Sequence, residues 1–426
     1  MAPLPQLLGR RLQIGWSVPM AYMAAAIAAG LVFPRLEHHF FPDLVSSMAP
    51  SSAITISSAV ASGMISLTAI VFSLAFVMVQ FSATAYSPRL VLWIARDPVL
   101  THSMGLFSAT FLYALLMIAW IDRDGSGRVP LVSEYMVFGL LLASMGAFVA
   151  LIERIGRLQV NRMLIFTGNQ GREAIADLYP PADAPAPQAA AAAPPAGAVV
   201  STVAHVGRPQ VIQAVRVEAL IAAAVAADGV IEVLAAVGDT LVERTPLVRI
   251  TSLRPLDASV IKGAIVVGDD RTFEQDPKYA IRLLVDIAIR ALSPAINDPT
   301  TAVQALDQIE DLLTHLGNRR LDIGAFADAS GRVRVIVPFP EWSDYLRLSF
   351  DEIRMYGAQS VQVMRRMRAL IASLSLVVPA DRQPALRRWE RRLDESIAQS
   401  FTNADERRDA SVVDRQGLGI GRGPNA

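Results

Sequence analysis

The chain contains no cysteine. That removes disulfides, thiolate metal sites and cysteine nucleophiles together. Lysine is almost absent as well: only Lys262 and Lys278 occur, and neither follows a glycine-rich loop. A phosphate-cradling loop of the Walker type, which needs a lysine there, is excluded. No His-Glu-x-x-His pair and no Gly-x-Ser-x-Gly elbow is present, and the five histidines are scattered. Net charge is missing too. Lysine plus arginine and aspartate plus glutamate number 39 each, so the overall balance attracts neither nucleic acid nor an acidic partner. These absences argue against an enzyme, and no catalytic residue, cofactor or resident metal is expected.

Charge is rarest in the first 152 of the 426 residues. Leu12 to Pro34, Leu44 to Pro88, Pro98 to Ile121 and Tyr135 to Ile152 are each free of Asp, Glu, Lys and Arg. Roughly 20 apolar residues at about 1.5 Å rise cross a hydrocarbon core about 30 Å thick. Four transmembrane helices are therefore expected near 14–33, 54–85, 99–121 and 131–152. Arg10-Arg11 before the first run would also suit a signal peptide, but the run is long for one and three more follow. With 53% hydrophobic residues and a mean hydropathy of +0.38, the fold class is an integral membrane α-helical protein with an α+β cytoplasmic domain.

Arginine placement sets the expected orientation. Arg10, Arg11, Arg89, Arg96, Arg154, Arg157, Arg162 and Arg172 fall on one side, against Arg35, Arg123 and Arg128 on the other. Both termini are then cytoplasmic, in a multi-pass protein of the bacterial inner membrane. No buried carboxylate is expected within a span, which argues against a proton- or sodium-coupled carrier.

The second span carries hydroxyls where lipid asks for none. Thr55, Ser58, Ser62, Ser66, Ser73, Gln80 and Thr84 recur at spacings of three, four or seven, with Ala69 filling a gap, so they share one helix face. Ile65, Ile70, Val71, Leu74, Val77 and Met78 are expected on the opposite side. The stripe suits close packing of helix backbones, which Gly63 and several alanines would allow. It equally suits a face lining a water-filled path around an oligomer, with Ser58, Ser62, Ser66, Ser73 and Gln80 lining the pore.

In the loops, His38, His39 and Asp43 are metal-ligand types, but adjacent histidines do not share one helix face, so an interfacial role is the better reading. The stretch "DRDGSGR" opens like a calcium loop. Counting from Asp122, however, the required acidic twelfth position is Ser133. A tight turn fits better.

After the spans, 153–198 comprises a basic amphipathic stretch, "RIGRLQVNRML", suited to anionic headgroups, and a Pro/Ala linker. Residues 199–273 read as a small β-rich module, 274–405 as a helical α+β domain and 406–426 as a disordered tail. Within the module, the Gly238-Asp239 turn and Pro246-Leu247 resemble barrel-sandwich domains of the biotinyl/lipoyl type. The carrier lysine is absent where the chain reads "TSLRP". Further on, Asp276-Pro277 and Asp298-Pro299 each look like an N-cap followed by proline at the first helical position, predicting helices near 277–292 and 299–316. Arg282, Asp286 and Arg290 form an ion-pair ladder on the first of these. Asn297, Asp298 and Thr300 gather at the turn between the two, where capping explains the aspartates and a bound ion is the competing reading. Amphipathic helices follow near 341–376 and 382–401, and "VMRRMRALIASL" sets arginines on one face and Met364, Met367 and Leu370 on another.

Two stretches, "SLTAIVFSLAFVMVQFSATAYSPR" and "DPKYAIRLLVDIAIRALSPAINDPTTAVQALD", resemble the bacterial predicted-membrane-protein family called domain of unknown function 2254. The resemblance runs from the first span to about residue 400. It implies an inner-membrane protein of the same layout and brings no activity, substrate or catalytic residues with it. Two functions stay open. One is a homo-oligomeric channel or permeation protein passing a small ion or solute, its cytoplasmic domain gating or assembling it. The other is a membrane-anchored sensor or scaffold.

Overall fold

The computed structural model describes residues 14–40, 46–85, 98–121, 129–156, 160–184 and 197–420. It divides into two compact units, Met1–Gln159 and Val160–Ala426.

The first unit consists of α1 (Ile14–Phe40), α2 (Pro50–Ala85), α3 (Pro98–Ile118) and α4 (Leu131–Gly156). All four are long and apolar enough to cross a membrane. Helix α3 packs against each of the others, which is why Phe107, Ala109, Tyr113, Ala114 and Met117 are buried around its circumference. Small residues set the crossings. A Cβ at Gly105 would lie 2.8 Å from the Tyr22 ring and 3.2 Å from Pro19 Cα, and one at Gly30 would lie 2.9 Å from Leu116. Hydroxyls add a polar seam between α3 and α4. Thr110 and Ser144 share a buried 2.8 Å hydrogen bond, and Ser103 Oγ donates to the Ala147 carbonyl at 3.4 Å.

The first span runs farther than charge placement predicts, to Phe40 rather than to residue 33. Arg35 does not end it, because its guanidinium bonds back to the Leu31 carbonyl and lies over the Trp120 ring at 5.4 Å.

The second unit opens with α5 (Val160–Leu178) and continues with β1 (Val199–Ala204), β2 (Gln210–Val215), α6 (Val217–Ala226), β3 (Gly229–Val233), β4 (Thr240–Leu241), β5 (Pro246–Ser252), α7 (Ala258–Ala264) and β6 (Ile265–Gly268). Then come α8 (Pro277–Ala291), α9 (Pro299–Gly317), β7 (Ala325–Ala327), β8 (Val333–Ile336), α10 (Trp342–Tyr356), α11 (Val361–Val377), α12 (Gln383–Ser400) and α13 (Ala404–Ala410). The strands form a five-stranded sheet, β1-β5-β3-β8-β7, and a three-stranded one, β4-β2-β6. In β3, Gly229, Ile231 and Val233 point inward by the period of two. On the other face Glu232 pairs with its cross-strand partner Arg249 at 2.6 Å. Ile212, Leu220, Ile231, Val248, Ile250 and Val335 share this core.

The β-rich part is therefore not confined to 199–273. The hairpin β7–β8 returns to it, β8 running parallel to β3 with Ile231 opposite Val335. Pairing across that sequence distance leaves no local signal.

The helical part packs α8 and α9 against each other and against α5, with α10, α11 and α12 around them. The apolar side of α5 is covered by protein: Leu164 and Ile175 are buried, and a Cβ at Gly171 would lie 2.8 Å from both Ala280 and Leu312. Where one helix was expected over 341–376, the chain breaks at Gly357. A Cβ at Gly357 would meet the Ile353 carbonyl at 2.9 Å, and Ser360 caps the new helix through Val363 N. The arginines of α11 are not a solvated face. Arg366 is buried against Asp307 and Glu310 of α9, Arg368 reaches Asp394 of α12, and Arg365 reaches the Asp409 carbonyl of α13. The stretch expected as a disordered tail is folded through Ile420. Asp414 accepts from Gln416 N at 2.9 Å and Gly419 N at 2.6 Å, with Gly417 and Gly419 in the left-handed region.

Candidate functional site

Helix α2 turns three faces outward from its own axis. Ala53, Ser57, Val60, Ala61, Met64 and Val71 are buried against the neighbouring helices. At about 100° per residue, Ser58, Ser62, Ser66 and Ser73 fall on the opposite side. There Ser62, Ser66 and Ser73 are exposed and Ser58 is half-buried. Ser66 Oγ donates to the Ser62 carbonyl at 2.8 Å and Thr55 Oγ1 to the Ser51 carbonyl at 2.7 Å, the local bonds by which hydroxyls tolerate lipid. The side chains of Gln80, Met78 and Thr84 lie outside the described residues. Among the described residues expected opposite the stripe, Val71 faces the bundle, while Ile65, Ile70, Leu74 and Val77 are exposed and flank it.

At the α8–α9 turn, Asn297 takes a positive φ of 48° and its N–H bonds the Ser293 carbonyl. Asp298 Oδ1 accepts from Thr301 N at 3.1 Å and Oδ2 from Thr301 Oγ1 at 2.6 Å. Both carboxylate oxygens thus serve the first turn of α9, and Asn297 and Thr300 are exposed beside it. This is the geometry of a cap. His38 and His39 sit in the last turn of α1, the His39 ring edge-on to Phe40. Asp43, the 122–128 loop and most of the Pro/Ala linker lie outside the described residues.

Two polar clusters escaped the sequence reading. The first corrects the expectation that no span holds a buried carboxylate: Glu37 in α1 and Glu134 in α4 are each 6% exposed. Glu37 Oε1 accepts from Val132 N at 2.7 Å, and Oε2 from Ser133 N at 3.0 Å and Ser133 Oγ at 2.9 Å. Helix α4 begins after Pro130, which offers no side-chain acceptor for its free N–H groups, and a carboxylate from another helix supplies one. A helix opening "PLVS" without Ser, Thr, Asp or Asn at its cap was the available signal.

The second lies in the C-terminal unit. Asp276 is 1% exposed, and its Oδ2 takes two bonds from Arg271, at 3.0 Å from Nε and 2.6 Å from Nη2. Gly238, at φ +90°, makes room for the pair; a Cβ there would be 2.6 Å from both partners. Burial pushes the Asp276 carboxyl up, and the Arg271 guanidinium only partly offsets this. The Tyr179 and Tyr345 hydroxyls are 2.8 Å apart and feel the Asp276 charge. Burial raises Tyr179 to about 12 and Tyr345 well above its ordinary value. The shared hydroxyl bond and the Arg271–Asp276 pair tie these elements together.

The family described as "Predicted membrane protein (DUF2254)" matches residues 14–373. Uncharacterized proteins of Mycobacterium bovis and Mycobacterium tuberculosis are each 26% identical over 376 residues, covering 84% of this chain and 71% of theirs. No solved structure matches.

Proposed function

We propose, for a chain that belongs to the DUF2254 family of predicted membrane proteins, that it is a non-enzymatic permeation protein of the bacterial inner membrane, assembled as a homo-oligomer around α2. The observation that carries this reading is the placement of Ser62, Ser66 and Ser73 directly away from the protomer's own bundle. A hydroxyl face gains little from lipid, whereas copies set around an axis would give it water, the hydroxyls standing in for part of a small permeant's hydration. The C-terminal unit, on the cytoplasmic side by the arginine imbalance, would assemble or gate the oligomer.

Single cysteines on the cysteine-free chain test this. Small hydrophilic thiol reagents should modify positions 62, 66 and 73 and spare Ile65 and Ile70, which flank the stripe, and Met64 and Val71, which pack inside. Protection at every position would remove the pore and favour the membrane-anchored scaffold.

A further inference from the structure

We propose that α12 (Gln383–Ser400) carries a docking face for an anionic phospholipid surface, formed by Arg387, Arg388, Arg391 and Arg392. All four are exposed. At about 100° per residue they fall within one arc of roughly 140°, opposite the buried Leu386, Trp389 and Leu393. Among the described residues none of the four is in an ion pair. Elsewhere in the unit, Arg282, Arg334, Arg366 and Arg368 each meet a carboxylate. Asp394, three residues after Arg391, is the carboxylate taken by Arg368 of α11. Arg392 lies over the Trp389 ring at 4.8 Å, which orders its guanidinium without neutralising it. Glu390 falls outside the arc and Glu395 only at its C-terminal end. The face is net positive.

This arrangement costs the helix something. Arg387 with Arg391, and Arg388 with Arg392, are like charges at i,i+4, the spacing at which an acidic partner would stabilise and a second cation opposes. An anionic surface removes that repulsion. The rest of the chain does not supply one: the stretches outside the described residues together hold eight arginines and four aspartates, an excess of the same sign. Residue chemistry selects phosphate, whose oxygens the planar guanidinium fork holds in pairs. A single-stranded nucleic acid would ask for a ring on which bases stack, and Trp389, the aromatic residue of α12, is 5% exposed. Lipid phosphate asks only for the charge, and four basic residues on one helix face suffice to hold anionic headgroups. The four helices long and apolar enough to cross a membrane link this unit covalently to a bilayer, which raises the effective concentration of headgroups around it. The contact is electrostatic, because the apolar side of α12 is buried inside the unit. It does not involve α2, so failure of the pore reading leaves it standing.

Ala398→Cys on the cysteine-free chain places a fluorescent label two turns beyond Arg391 on the same exposed side. The full-length protein is reconstituted in vesicles of phosphatidylcholine, with or without phosphatidylglycerol, each carrying the same fraction of lipid with a nitroxide quencher on its headgroup. Quenching should be about twofold or more stronger with phosphatidylglycerol. Salt near 1 M, which screens charges beyond roughly 3 Å, should abolish the difference. The combined variant Arg387→Gln, Arg388→Gln, Arg391→Gln, Arg392→Gln should lose it at low salt. That variant removes exposed, mutually repelling charges, so it should melt no lower than the parent in detergent; Arg387→Gln with Arg391→Gln serves if it does not fold. Equal quenching in the two lipids, or a difference that a folded variant keeps, overturns the face. Equal quenching together with binding of a labelled single-stranded oligonucleotide that the variant loses would give the face to nucleic acid instead.

Discussion

The hydroxyls of Tyr179 and Tyr345 meet at 2.8 Å inside the C-terminal unit, tying the end of α5 to the first turn of α10 across 166 residues of sequence. Both side chains are fully buried, so each hydroxyl is the other's replacement for water. Removing one leaves its partner unsatisfied; removing both does not. Tyr345→Phe should therefore cost about 1–3 kcal/mol, and Tyr179→Phe a similar amount. The double variant should cost clearly less than the two added together. Denaturant unfolding of the three proteins measures this, and simple additivity would show that the two hydroxyls do not depend on each other.

Asp276 gives the unit a signed response to pH. Its carboxyl is raised in the folded protein, chiefly by burial, and returns to the ordinary aspartate value on unfolding. Charging it thus opposes folding. The penalty is present in full above the raised value, fades as pH falls through it, and is gone below the ordinary value near 3.8. Relative to Asp276→Asn, the parent should gain stability as the medium is acidified over that interval. Melting curves of both proteins across the acid range check it; a parent that loses ground to the variant on acidification contradicts the sign.

Asp276 and Asp298 also show how far the sequence could be read. Both precede proline at the start of a helix, and the pattern predicts two caps. Only Asp298 bonds the first turn of its helix. Asp276 is drawn away by Arg271, five residues upstream, and by the space left at Gly238, and neither partner belongs to the cap pattern. The same division runs through the molecule. Uncharged runs disclose the four helices long and apolar enough to cross a membrane, because that requirement constrains every residue in turn. Helical periodicity discloses the serine face of α2. Which side of α2 meets α3 depends on neighbours supplied by other helices, and so periodicity alone does not tell that Val60 and Met64, rather than Ile65 and Ile70, face the bundle. Glu37 is the extreme case, since its role is visible only once the start of α4, some 95 residues later, is beside it.

The α8–α9 turn can be tested for its cap. Asp298→Ala should lower stability by roughly 0.5–2 kcal/mol, while Thr300→Ala, on an exposed side chain, should be close to neutral. Denaturation of the two variants beside the parent measures the difference. An Asp298→Ala protein as stable as the parent but defective in the cell would place a ligand, rather than a cap, at this turn.

Glycines in the first unit test whether copies of the chain meet through α2. Gly105 is needed inside: a Cβ there would press on the Tyr22 ring at 2.8 Å and on the Pro19 backbone at 3.2 Å. Backbone cannot retreat as a flexible side chain can, so Gly105→Ala should cost about 1–3 kcal/mol by overpacking. Gly63 is different. Among the described residues nothing beyond the helix's own backbone lies within 4 Å of a Cβ built at Gly63, and the residue adjoins Ser62 on the exposed half of α2. In the protomer alone, Gly63→Ala should be harmless or slightly stabilising, since glycine in a helix interior costs roughly 0.5–1 kcal/mol relative to alanine. Gly63→Leu adds bulk that a lone protomer accommodates but a close contact between copies does not. If α2 faces other copies, this variant should keep the parent's melting behaviour once dissociated and yet elute from size exclusion as a smaller species. An unchanged elution would place no contact between copies on this side of α2, and would remove the axis on which Ser62, Ser66 and Ser73 would line a path.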